Sequence, residues 1–385
     1  MIVQRFIPLA IVFCMVYFAY QQSLAASGVR DKAEPKTVNS QQLITPATSS
    51  SSLSQRVHKG VIDKDYVAYR QNVLQKFVNG DFAWIDQEAS NLRVTKKRLP
   101  GGYWKLRALY DALEEPQTEA EASNGDWETQ LTKIQGWMNR YPNSITARVA
   151  LAANWKVYAW KARGDGRSGT VTENGWALFN SRLTTAARVL SDAAALDEKC
   201  PHWFLISLWI AIGQSWDRVA FERLFEAAVK LEPTYYYLYQ AKATYLLPRW
   251  FGQEGEWERF TEESTLKVGG HEGDIIFFAV YSQMLSLHDI SFMNTRTLAW
   301  PRLLGGFRSL EKLYGGSPHR LNEACFFASG AGDTRTAVEL FRRIGEDYDQ
   351  TVWRSKSFFE MIRQAALARV KTENEKPKPT SSQGK

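Results

Sequence analysis

The chain has 385 residues, 44% hydrophobic and 23% charged, with a formal net charge of +7. This length and apolar content exclude a wholly disordered chain and allow one or two domains with a substantial core. The basic residues are scattered, Lys96-Lys97-Arg98 being their only run of three, which argues against nucleic acid as a partner because a nucleic-acid reader carries a clustered basic stripe.

Residues 1–25 read as a targeting segment. Arg5 is their only charge, an apolar run covers residues 6–20, and the small residues Ser23 and Ala25 fit a cleavage site after Ala25. The run is shorter than the about 20 residues that span a bilayer. Cleavage of a signal peptide is therefore the expectation, and an uncleaved anchor through residues 6–20 is the alternative. Either way the body is expected to be exported: periplasmic or secreted, or held at the inner membrane by its N-terminus. Residues 26–56, with Ser49–Ser52 flanked by Thr and Pro, lack the apolar content to fold and read as a flexible tether. Residues 371–385 are expected to be a similar polar, disordered tail.

Residues 57–370 read as one helical domain. Leu190-Ser191-Asp192-Ala193-Ala194 recurs 34 residues later as Leu224-Phe225-Glu226-Ala227-Ala228, and the copies run out at Cys200-Pro201 and Glu232-Pro233. That is the tetratricopeptide period, each repeat being a pair of antiparallel helices. Such hairpins bury their apolar faces only by stacking on neighbours. Phe221, Leu224, Phe225 and Ala228 fall on one helical stripe, as do Leu183, Ala186, Ala187 and Leu190, and Ala337, Leu340, Phe341 and Ile344. No comparable stretch alternates with period two. Pro201 can open a helix that turns at Gly213-Gln214-Ser215. Ser144, Ser317 before Pro318, and Asp333 read as N-caps. The predicted fold is all-α: degenerate tetratricopeptide-like hairpin repeats forming a curved α-solenoid, whose many aromatic residues serve mainly as wedges between helices.

Few residues point to chemistry. Gly164-Asp165-Gly166-Arg167-Ser168-Gly169 matches GxGxxG, but a dinucleotide site needs a strand before it, and the preceding segment reads as helix. An inter-helix loop is expected there. His271-Glu272-Gly273-Asp274 gathers metal-capable side chains, yet no HExxH or GxSxG occurs. It is read as a helix start, with no metal, cofactor or catalytic residue assigned. Beyond the targeting segment only Cys200 and Cys325 remain. They lie 125 residues apart, too far along a solenoid to meet within the about 7 Å a disulfide requires, so two buried free thiols are expected. The densest feature is aromatic. Tyr235-Tyr236-Tyr237-Leu238-Tyr239 leads to Leu246-Leu247-Pro248-Arg249-Trp250 and then to Trp257, with Pro248 ending a helix and Gly252 re-aiming the chain. Four tyrosines in five residues cannot share one helix face. A plug between repeats is one reading. The other is a groove built from Tyr235, Tyr236, Tyr239, Arg249, Trp250 and Trp257, in which Trp250 and Trp257 stack on the tyrosines, since Tyr and Trp offer large area with a polar tip.

Ala159-Trp160-Lys161-Ala162-Arg163-Gly164, Trp203, the run Tyr236-Tyr237-Leu238-Tyr239 and Leu246-Leu247-Pro248-Arg249-Trp250 resemble a tetratricopeptide-like bacterial family known as a domain of unknown function (number four-thousand-thirty-four). The resemblance covers roughly residues 130–265. Phe251 departs from the small residue expected before Gly252. It implies a helical repeat and brings no catalytic residues. The expected role is an exported or tethered adaptor or scaffold that binds a protein or peptide. A binder of envelope glycan or small ligands through the 235–257 aromatics is the alternative, and an enzyme of unknown reaction the second alternative.

Overall fold

A computed structural model describes residues 63–118, 121–287 and 299–375. Residues 1–25, read above as a targeting segment, the Ser-rich stretch, His58 and His288-Asp289 lie outside the described residues. Sixteen α-helices and two short 3-10 turns make up the described chain, with no strand. The helices are α1 (Lys64–Val78), α2 (Phe82–Thr95), α3 (Lys105–Asp111), α4 (Asn124–Arg140), α5 (Ile145–Arg163), α6 (Glu173–Ala193), α7 (Pro201–Gly213), α8 (Arg218–Leu231) and α9 (Tyr237–Tyr245). After them come α10 (Glu256–Val268), α11 (Gly270–Ser286), α12 (Trp300–Tyr314), α13 (Pro318–Ala331), α14 (Thr334–Ile344), α15 (Gln350–Trp353) and α16 (Lys356–Glu375). The chain is all-α, as expected. The last helix runs on through residues 371–375, which the sequence reading assigned to the tail. Lys371, Glu373 and Glu375 are good helix formers and extend it past its last apolar contact. No helix of the described residues is long and apolar enough to cross a membrane.

Local chemistry accounts for the boundaries. Ser123 and Asp126 form a reciprocal capping box at the start of α4. The Ser144 hydroxyl accepts from Ala147 N–H at 2.9 Å to start α5. Asp217 accepts from Ala220 N–H at 2.9 Å to start α8, and Asp333 from Thr336 N–H at 3.1 Å to start α14. Pro201 and Pro318 sit in the first turns of α7 and α13, where a missing N–H leaves no bond unmade.

The described residues form two compact units. The first holds Tyr69–Lys97 and Trp104–Gln253. The second holds Arg98–Tyr103, the described residues from Glu254 onward and residues 63–68. In the first unit each helix from α5 to α9 packs on the next, and α5 also packs on α7, and α7 on α9. Leu190 of α6 and Leu224 of α8, the two copies of the echo, are both buried in these contacts. Helix α7 is apolar on every side, with Trp203 to Leu208 all buried, so it occupies the middle of the unit.

In the second unit α11 plays the corresponding part, with Ile275 to Val280 buried and α10, α12 and the short α15 packed on it. Gly306 lets α12 come close. A Cβ there would lie 2.7 Å from Phe278 Cβ. Cys200 belongs to the first unit and Cys325 to the second, and both are buried free thiols.

Ala228 lies in the second copy of the echo and is fully buried. Replacing it with Trp should lower unfolding free energy by about 1–3 kcal/mol through overpacking. Chemical denaturation checks this, and an unchanged midpoint would contradict the packing of α8.

Candidate functional site

The six residues of the groove reading fall in both units, five in the first and Trp257 in the second. Tyr235, Tyr236 and Tyr239 are buried in the first unit, and Trp257 is buried in the second. Helix α9 begins only at Tyr237, after the turn at Pro233, so Tyr235 and Tyr236 are free of helical periodicity and can both point inward. The Tyr235 hydroxyl lies 2.9 Å from His202 Nδ1, and its ring meets Trp104 edge-on at 4.9 Å. Tyr236 donates to the Tyr237 hydroxyl at 2.9 Å. Tyr239 donates to the Pro233 carbonyl at 2.9 Å and packs edge-on against Phe225. Trp257 packs against Tyr281. Trp250 meets Trp160 edge-on at 5.8 Å.

Arg249 is exposed, and the half-buried Trp250 belongs to a different constellation. Trp250 lies in the turn after α9. Its N–H bonds to Leu247 O at 2.8 Å, and Gly252 closes the turn so tightly that a Cβ there would overlap the Leu246 carbonyl. Phe251 anchors the turn by stacking on Tyr245 at 4.7 Å, and Tyr245 stacks on Phe221 at 3.9 Å. Trp160 comes from the last turn of α5 and Trp176 from the first turn of α6. Both meet the buried Phe179 edge-on, at 5.0 and 5.7 Å. Arg163 lies over both indoles, 5.5 Å from Trp160 and 5.6 Å from Trp176. Its Nη1 donates to the Gly164 and Gly166 carbonyls at 3.1 Å, so the glycine-rich loop holds the guanidinium. That loop follows a helix and contains a 3-10 turn, not the strand-to-helix turn of a nucleotide site. Trp160, Trp176 and Trp250 are half-buried, and Arg249 and Arg167 are exposed. Burial pulls the Arg163 guanidinium below its usual range, against the opposing charge of Asp165. This face offers hydrogen-bond donors and aromatic area, and suits recognition more than bond-breaking.

Sequence reasoning missed Trp160, Trp176 and Arg163 as site residues. The available signal was that Trp160 and Trp176 bracket a glycine-rich loop with an arginine at its start.

The titratable clusters are engaged internally. In the first unit His202 is fully buried, stacked on Tyr110 at 4.2 Å, and its Nε2 has no partner. Nearby, Glu114 is paired with Lys156 at 2.5 Å and Arg107 at 3.2 Å. Burial alone would raise the Glu114 carboxyl, but those two cations hold it down to about 2. Burial, and then Arg107 and Lys156, push His202 well below the usual imidazole range, with Glu114 opposing them.

In the second unit His319 lies between Asp349 at 2.7 Å and Glu323 at 3.2 Å, and Arg320 pairs with Glu323 at 2.8 Å. Burial lowers His319, but the two carboxylates outweigh it and hold the imidazole up at about 10. A histidine so held stays an imidazolium at neutral pH and cannot serve as a general base. The 271–274 segment is the first turn of α11. His271 Nδ1 lies 2.8 Å from Ser309 Oγ, and Glu272 pairs with Arg98 at 2.9 Å and accepts from Tyr314 at 2.7 Å. Among the described residues no three His, Cys, Asp or Glu side chains converge as a metal site. Comparison with family models, curated proteins and solved structures returns no match.

The two histidines give opposite pH signs. The lowered His202 takes no proton in the folded state, whereas the unfolded chain takes one below about 6.5, so acid lowers stability around α7. The raised His319 contributes stability fully below about 6.5, and this is lost as pH rises toward about 10. Hydrogen exchange, corrected for intrinsic rates, should show α7 amides opening more at pH 5.5 than at 7.5. Amides of α13 should open more at pH 9 than at 6.5. Substitution with Gln at His202 should remove the first trend, and at His319 the second.

Proposed function

We propose that this chain is a helical-repeat scaffold that binds a protein or peptide partner, built from degenerate tetratricopeptide-like hairpins and exported or tethered by its N-terminal segment. One observation carries this reading. In the first unit α5 packs on α6 and α7, and α7 on α8 and α9, the pattern of contacts that repeated helical hairpins would give, while His202 and Glu114 are engaged with Tyr235 and Lys156 inside the fold. Stacked hairpins present extended surface, and such surfaces serve recognition. The resemblance over residues 130–265 agrees with a repeat and brings no activity of its own. Export is supported by the apolar run at residues 6–20 followed by small residues at 23 and 25.

The test is cross-linking of the full chain in envelope extract, followed by reconstitution with the purified partner. A complex of defined stoichiometry in analytical ultracentrifugation is expected. A chain that stays alone at micromolar concentration with every cross-linked candidate would overturn the scaffold reading. Sequencing of the mature N-terminus should find Ala26 first. An intact Met1 would favour the anchored form.

A further inference from the structure

The tryptophan face of the first unit carries a cation with no ion-pair partner among the described residues. Arg163 is half-buried between two indoles, and among the described residues no carboxylate lies within ion-pair distance of it. Asp165, exposed in the same loop, acts on it only from farther away. The two carbonyl bonds of Nη1 fix the guanidinium, while Nε and Nη2 make no hydrogen bond among the described residues. The indole N–H groups of Trp160, Trp176 and Trp250 make none either. Arg167, in the same loop as Arg163's two carbonyl partners, is exposed.

We propose that this face binds an extended peptide of a protein partner that presents an acidic side chain next to an aromatic or aliphatic one. The carboxylate pairs with Arg163, and the apolar neighbour lies against the indoles. The inference rests on the scaffold reading and names its contact surface.

The argument for this occupant is charge and donor complementarity. A guanidinium partly withdrawn from water lacks full hydration and, without a counter-ion, is costly. A carboxylate supplies the missing charge and accepts two parallel N–H bonds, the geometry for which arginine is suited. The Arg163 guanidinium and the three indoles themselves offer only donors: one fixed guanidinium and three indole N–H groups. Neutral sugars bring hydroxyls that need acceptors as well as donors, and they would leave the charge unpaired. Trp and Arg are also the side chains that dominate binding energy at protein interfaces.

The test uses the full chain with three probes. The first is an N-acetylated, C-amidated peptide alternating Asp and Leu around one Phe. The others are its counterpart with Lys for every Asp, and chitohexaose as a neutral glycan. Calorimetry and tryptophan fluorescence read the binding. The Asp peptide should bind and quench, weaken with added salt, and lose about tenfold in affinity, about 1.4 kcal/mol, in Arg163→Gln. Arg188→Gln, on the exposed side of α6, should leave affinity unchanged. Trp176→Leu should weaken binding by a second route if Arg163→Gln lowers the melting temperature.

Equal or tighter binding of the Lys peptide or chitohexaose would overturn the proposal, as would Asp-peptide binding indifferent to both variants. If no peptide binds but a stoichiometric partner is still recovered, the face is wrong and the scaffold stands. If no partner is recovered either, both fall.

Discussion

Helix α7 has no polar side to give to water. From Pro201 to Leu208 and again from Ile210 to Ile212 every residue is buried, with Trp209 half-buried between them. A helix of this kind is stable only when it is enclosed on all sides. Helices α5, α6, α8 and α9 provide that enclosure. Their one-sided stripes follow from it: Phe179, Leu183, Ala186 and Leu190 on α6, and Phe221, Leu224, Phe225 and Ala228 on α8. Small residues at Ala186, Ala187 and Ala228 let the backbones approach. The ends of α5, α6 and α9 then fall where the tryptophan face is built, so the position of that face is a consequence of how α7 is covered.

Enclosure forces polar groups inward as well, and the two units resolve the charge of a buried histidine differently. His202 faces Arg107, Lys156 and one carboxylate, Glu114, whose charge is already taken up by those cations. A proton on His202 would add charge with no counter-ion, so it stays neutral. His319 faces two carboxylates against the single Arg320, and holding the proton is the cheaper state. Burial acts in the same direction at both sites. The local count of opposite charges decides which way each one goes. Neither arrangement leaves a group poised near neutral pH, the condition for general acid-base work.

The helices and their ends were legible because their causes are local. A serine or aspartate cap, a proline in the first turn and a stripe at helical spacing act within a few residues, and Ser144, Pro201, Ser317 and Asp333 all stand where the sequence reading put them. The echo was legible for the same reason, since both copies bury the first Leu and the last Ala, Leu190 with Ala194 and Leu224 with Ala228. The tyrosine cluster was not. Whether Tyr235 and Tyr236 face in or out depends on a helix start delayed to Tyr237, and on His202 and Trp104, which the chain brings from far away. The same holds for Trp250, whose neighbour Trp160 is supplied by α5. Aromatic density along the sequence marked where the core is thick, and tertiary pairing chose which rings remain at the surface.

That choice bears on what the surface rings are for. A buried Trp contributes by losing area to the core, at about 25 cal/mol per Å² of apolar surface. Trp104, Trp137, Trp216 and Trp353 do so almost completely. Trp160, Trp176 and Trp250 leave part of that gain unrealised. Two of them meet Phe179 edge-on, and Trp160 and Trp250 meet each other, so they are ordered by contact and still open to solvent. Ordered, half-open indoles around a fixed guanidinium have already lost their rotamer freedom in the fold. A ligand that covers them recovers the remaining apolar area with little further ordering, the condition under which a small contact binds well.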